Sequence, residues 1–248
     1  GYYVAGAPKL GAQGDFVTAP ELSPLFAQCL AVQCGEVLAG LGGGQILEFG
    51  AGSGVLAADL LQELERRARL PERYRILELS PELMGWQRET LAARVPHLLG
   101  RVRWQAQLPA PFDGLVLANE VLDALAVHRF RWQAGRALEY GVVEAGEGFA
   151  WRLGEPTDPQ LQRTVAGLAA DCALAEGYEG EVCLTLEPWM KSVAAALTEG
   201  SLLLIDYGYP RRELYHPQRS GGTLLCHYRH RAHGDPLRLV GLQDITAS

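Results

Sequence analysis

The chain has 248 residues and a formal net charge of −7, with 48% hydrophobic and 21% charged side chains. That length suits one large domain, or one domain with an insertion, and is tight for two independent ones. The acidic balance argues against a protein built to grip nucleic-acid backbones, and no apolar run approaches the roughly 20 residues of a membrane span; a charged protein partner or a small substrate stays open.

In chain order, the first twenty residues are rich in Gly, Ala and Pro without a sustained period and predict an ordered loop. Ser23-Pro24 reads as a cap and a first helical position, and residues 25–41 as a helix stopped by Gly42-Gly43-Gly44. Residues 46–49 form an apolar strand, after which Leu56, Ala57, Leu60, Leu61, Leu64 and Ala68 fall on one face of a helix. A second strand (74–79), a second helix (81–95), a third strand (101–105) and a fourth strand buried on both faces (114–118) continue the alternation. Such βαβ repetition predicts an α/β fold with a parallel sheet and ligands at the carboxyl ends of its strands.

The rhythm breaks after residue 126. Residues 127–132, 139–143 and 149–153 read as short antiparallel strands and 158–174 as a polar-faced helix. A helix (187–197) and a buried strand (201–205) resume the core, and the tail from Arg211 is basic, His-rich and loop-like. The expected organisation is an N-terminal loop and helix (1–44) covering the site, a core (45–126 and 178–210), an insertion (127–177) and a C-terminal loop region (211–248). The five cysteines, Cys29, Cys34, Cys172, Cys183 and Cys226, contain no CxxC pair and leave an odd one, which favours a reducing compartment over a disulfide framework. His227, His230 and His233 with Cys226 fit no standard zinc spacing, and no metal is expected.

The stretch Gln45 to Leu56 (QILEFGAGSGVL) carries glycines at 50, 52 and 54. A dinucleotide fingerprint needs its third glycine at position 55, beside the pyrophosphate, and that residue is Val55. Glu48, two residues before the first glycine, would repel a phosphate and attract an α-amino group. Glu78 ends the second strand, where a carboxylate accepts hydrogen bonds from ribose hydroxyls. A ribose, an amino-acid end and no phosphate describe S-adenosyl-L-methionine; NAD or FAD is the rival.

After the fourth strand come Asn119, Glu120 and Asp123. Two acids can hold a guanidinium bidentately and keep one nitrogen aimed at a methyl donor. First-turn acids of an ordinary helix start are the alternative.

These residues carry a family resemblance. GDFVTAPELS (14–23), LEFGAGSGVLAADLL, ELSPELMGWQ, ANEVLDALAVHRF, LLIDYGYP, GGTLLCHYRH and GLQDIT together resemble the MidA-like S-adenosylmethionine-dependent methyltransferases, relatives of a mitochondrial complex I assembly factor that dimethylates an arginine. The resemblance implies a Rossmann-like class I methyltransferase sheet with helices on both faces, acting as a protein arginine methyltransferase on a respiratory complex I subunit or another protein client. It implies that Glu48, Gly50, Ala51, Gly52 and Gly54 line the methionine and ribose end, Glu78, Leu79 and Ser80 the ribose, and Trp104 and Gln105 the adenine. Asp15, Thr18 and Glu21 would close over the cofactor, Asn119, Glu120 and Asp123 would face substrate, and Asp206 and Tyr207 would border the pocket. Family members run further at both ends, so the chain is expected to be incomplete, and a homodimer is admitted. The compartment would be the cytoplasm in a bacterium or the mitochondrial matrix in a eukaryote. The competing functions are a cofactor-binding assembly chaperone and an NAD-dependent oxidoreductase.

Overall fold

The computed structural model describes residues 18–109 and 111–248. In chain order the elements are α1 (Ala19–Leu22), α2 (Leu25–Gly40), β1 (Gln45–Phe49), α3 (Val55–Arg66), β2 (Arg73–Leu77), α4 (Pro81–Arg94), β3 (Val102–Gln105), β4 (Phe112–Asn119), β5 (His128–Gln133), β6 (Arg136–Ala145), β7 (Gly148–Gly154), α5 (Pro159–Cys172), β8 (Glu179–Val182), α6 (Leu186–Ala196), β9 (Leu197–Ile205), α7 (Arg211–Leu214), β10 (Leu225–Tyr228), β11 (Arg231–His233) and β12 (Asp244–Thr246). Helix starts follow local chemistry: the Ser80 hydroxyl accepts from the Leu83 amide ahead of Pro81, and Asp158 accepts from the Gln160 amide ahead of Pro159. Ser23 Oγ accepts from the Leu25 amide at 3.1 Å, so the predicted cap acts one residue before the helix proper.

The chain divides into two compact units, the first comprising the described residues up to Val121 with Met190–Ile205 and Tyr228–Arg231. Its sheet has the order β3-β2-β1-β4-β9, and every neighbouring pair is parallel. The predicted α/β parallel architecture is therefore present. The register puts Ile46, Glu48, Tyr74, Ile76, Leu115 and Leu117 on one face. That face packs with Ala31, Cys34 and Leu38 of α2, Leu60, Leu61 and Leu64 of α3, and Leu91 of α4 in one buried cluster. Leu47, Val116 and Ala118, which point the other way, are equally buried, as a parallel sheet covered on both sides requires.

The second unit comprises Leu122–Trp189, Asp206–His227 and Ala232–Ser248. It holds an antiparallel sheet of order β7-β6-β5-β8. Phe130, Ala137, Leu161, Val165, Leu168, Tyr178 and Val182 form its own core, with α5 laid on the sheet. The predicted insertion ended at residue 177, and the sheet gains β8 just beyond it. That strand is polar (EGEV) and gives no alternation to read; its Glu179 is held by Arg129 and Arg131 at 2.9 and 2.6 Å. The tail also departs from the loop expected of it. β10 and β12 pair antiparallel, Cys226 opposite Ile245, in strands too short for periodicity to reveal.

Candidate functional site

Strand order reverses between β1 and β4, the point where an open parallel sheet characteristically leaves a crevice outside the carboxyl ends of its strands. The glycine loop opens there: Gly50, Gly52 and Gly54 all take left-handed backbone angles, with φ of 61°, 53° and 82°. The Gly54 amide bonds the Ala51 carbonyl at 2.8 Å, and Gly54 then caps α3. A Cβ on Gly50 would lie 3.1 Å from Val121 Cγ2, so the segment after β4 closes against this loop.

Glu78 follows β2 at the same edge, its amide bonded to the Gln105 carbonyl. Its Oε1 accepts from the Leu79 and Ser80 amides, both at 2.9 Å, and its Oε2 from Gln87 Nε2 at 3.1 Å. A carboxylate offers about four acceptor positions, so about one remains for a ligand hydroxyl. Beside it Leu79 is 65% exposed, an apolar surface at the edge of the crevice. Trp104 donates its indole N–H to Gln87 Oε1 at 2.9 Å and carries the Arg88 guanidinium 4.9 Å from its ring centroid. Gln105 instead accepts from Arg75 and donates to the Gln107 carbonyl.

Glu48 is 2% exposed and lies on the core-facing side of β1, where its Oε2 accepts from Tyr74 Oη at 2.8 Å. Loss of hydration pushes its carboxyl up to about 7, against which the tyrosine hydrogen bond acts. On the N-terminal side, Thr18 precedes α1 and its carbonyl accepts from the Glu21 amide. Glu21 accepts from the hydroxyl of Ser53 in the glycine loop, which ties α1 to that loop. Asp15 lies outside the described residues.

Asn119 ends β4 and Glu120 follows it, both in the first unit. Asn119 Nδ2 approaches Glu120 Oε1 at 3.4 Å, and the Glu120 amide bonds the Ile205 carbonyl at 2.8 Å. Glu120 has φ of 52°, a left-handed conformation that costs a side-chain-bearing residue about 1–3 kcal/mol and collects at functional sites. Asp123 falls in the second unit, as does Asp206. There Asp206 Oδ2 accepts from the Leu122 and Asp123 amides at 2.8 and 3.2 Å, and its Oδ1 from Tyr207. Asp206 thus shapes the backbone that carries Asp123. Sequence reasoning missed Gln87, whose signal is a polar residue seven positions past the Ser80 cap of α4, where helical spacing returns it to the buried face with Leu83 and Leu91. No group of three or more His, Cys, Asp or Glu side chains among the described residues could hold a metal ion, and no described helix is long and apolar enough to cross a membrane.

A family model described as "Putative S-adenosyl-L-methionine-dependent methyltransferase" matches residues 29–248. The chain belongs to this family. Among solved structures, a "likely methyl transferase" from Burkholderia thailandensis, crystallised with S-adenosyl-homocysteine, superposes with a TM-score of 0.92 at 45% identity, covering 100% of this chain and 64% of that one. Among curated proteins, the mitochondrial protein arginine methyltransferase NDUFAF7 of Danio rerio is 28% identical over 281 residues, covering 100% of this chain and 62% of its own length. The Mus musculus counterpart is 29% identical over 285 residues, with 60% of its length covered. The chain therefore spans about three fifths of the curated relatives it matches.

Proposed function

We propose that the protein carrying this chain binds S-adenosyl-L-methionine and transfers its methyl group to an arginine of a protein substrate. The observation that carries the cofactor reading is the juxtaposition, at one sheet edge, of a three-glycine left-handed loop and Glu78. Bare backbone there admits the methionine end closely, and the carboxylate takes a ribose hydroxyl. The 45%-identical relative that holds S-adenosyl-homocysteine supports the same choice over NAD. The bound cofactor would supply an electrophilic sulfonium methyl. Glu120 would hold the guanidinium, oriented by Asn119, so that one nitrogen attacks in line; the N–C bond forms as the C–S bond breaks, and the nitrogen's proton passes to the carboxylate or to water. The names of the mitochondrial relatives support arginine as acceptor and a protein client, and the family resemblance offers a respiratory complex I subunit or another protein as that client.

The test incubates the complete protein with labelled S-adenosyl-L-methionine and host lysate, then maps the methylated residue. Glu78→Ala should weaken S-adenosyl-homocysteine binding by about tenfold or more, whereas Glu120→Ala should keep binding and lose transfer. Normal transfer by Glu120→Ala sinks the acceptor-site assignment. Binding of NADH without S-adenosyl-homocysteine would turn the reading to an oxidoreductase, and cofactor binding without any methylated product to an assembly chaperone.

A further inference from the structure

Gly54 has a partner that nucleoside binding alone does not explain. Gln87 has no exposed surface, and both ends of its side-chain amide are partnered: Nε2 donates to the Gly52 carbonyl and to Glu78 Oε2, both at 3.1 Å, and Oε1 accepts from Trp104 Nε1 at 2.9 Å. These partners also fix which way the amide faces. Turned over, its oxygen would meet a carbonyl and a carboxylate, and its NH2 would meet an indole N–H. The backbone matches the side chain, because a Cβ on Gly54 would sit 2.9 Å from Gln87 Cα, a main-chain atom that cannot swing aside. The third glycine of the loop is therefore where α4 comes close enough for Gln87 to reach three partners.

The geometry points to Gln87 as the positioning residue that joins three parts of the nucleoside pocket into one unit: the loop at the amino-acid end, Glu78 at the ribose and Trp104 at the adenine side. The inference rests on the proposed S-adenosyl site. With Oε1 held by two amides and Oε2 by Gln87, the carboxylate of Glu78 is aimed before ligand arrives, and no ordering cost is left for binding to meet. The indole N–H of Trp104 is spent on Gln87, so this residue offers a ligand its ring and not a donor. Movement at any one of the three parts is felt at the other two through a single amide group.

The test uses the complete protein with Gln87→Met, which keeps the volume and removes both donors; Gln87→Glu, which puts an acceptor where two N–H groups were; and Trp104→Phe. S-adenosyl-homocysteine and adenosine are titrated calorimetrically, melting temperature is recorded, and the Trp104 indole resonance is identified by its loss in Trp104→Phe. Both Gln87 variants should bind either ligand about tenfold to a hundredfold more weakly, the Glu variant more so, because each leaves buried groups without partners. Before any ligand is added, the Trp104 indole N–H signal should already move in Gln87→Met, where its acceptor is gone at unchanged volume, which a residue that merely fills space would not produce. If a Gln87 variant fails to fold, Trp104→Phe carries the test, with weaker adenosine binding expected. Ligand affinity within about twofold of the natural protein in the folded variants overturns the positioning role and leaves the cofactor reading intact. Absence of S-adenosyl-homocysteine binding by the natural protein overturns the cofactor reading itself, and this role with it.

Discussion

Glu120 shows at the scale of one residue how a strained backbone and a proposed acceptor-binding side chain coincide. Its φ of 52° suits glycine, so Glu120→Gly relieves strain while adding freedom to the unfolded chain. The net change expected in chemical denaturation is between none and about 1 kcal/mol of stabilisation, with methyl transfer lost. A clear loss of stability in that variant would contradict a strained native carboxylate. Glu48 gives a pH signature. Its carboxyl titrates near 4.5 when unfolded and near 7 when folded. Between those values the folded chain keeps a proton that the unfolded chain has released, so stability from this group is full below 4.5, falls as pH rises and levels off above 7. Glu48→Gln should flatten that decline by about 2 kcal/mol, read from urea midpoints at pH 5 and pH 7.5. An unchanged pH profile would show that Glu48 is not held protonated.

At the scale of elements, the βαβ alternation through β4 was legible because β1 and β4 carry short apolar runs, Ile46-Leu47 and Leu115 to Ala118, and α3 carries a clean apolar stripe. Glycine spacing was legible too, but its cause was not. In the sequence the glycines read as bare backbone for a ligand, and the structure adds that Gly54 is squeezed against α4 at Gln87. Gly54→Ala meets both a φ of 82° and a main-chain obstacle, so it should cost about 2 kcal/mol or more and weaken S-adenosyl-homocysteine binding with it. Thermal melts and calorimetric titration of that variant measure both; wild-type affinity would show that α4 can retreat without disturbing the pocket. Gln87 itself escaped notice because a lone glutamine in a helix of mixed polarity looks like a solvent-facing residue. Only the packing of α4 against the glycine loop distinguishes it.

At the scale of the whole molecule, two units carry two separate cores. The glycine loop, Glu78, Gln87 and Trp104 all belong to the first, while Leu161 is fully buried in the second. Leu161→Ala should therefore destabilise the second core by about 2–5 kcal/mol and leave S-adenosyl-homocysteine affinity near its natural value, as scanning calorimetry and titration would show. A matching loss of affinity would mean that the nucleoside site depends on the second core. The sequence by itself determined the fold class, the parallel sheet and the family, since those follow from periodicity and from residues adjacent in the chain. Only the tertiary structure decided that Glu48 turns into the core, that β8, β10 and β12 exist as strands, and that Gln87 meets Gly52, Glu78 and Trp104. Those features depend on pairings across 9 to 35 residues within the first unit and on short polar strands in the second, where the chain offers no local pattern and burial or hydrogen bonding with distant partners supplies the stabilisation.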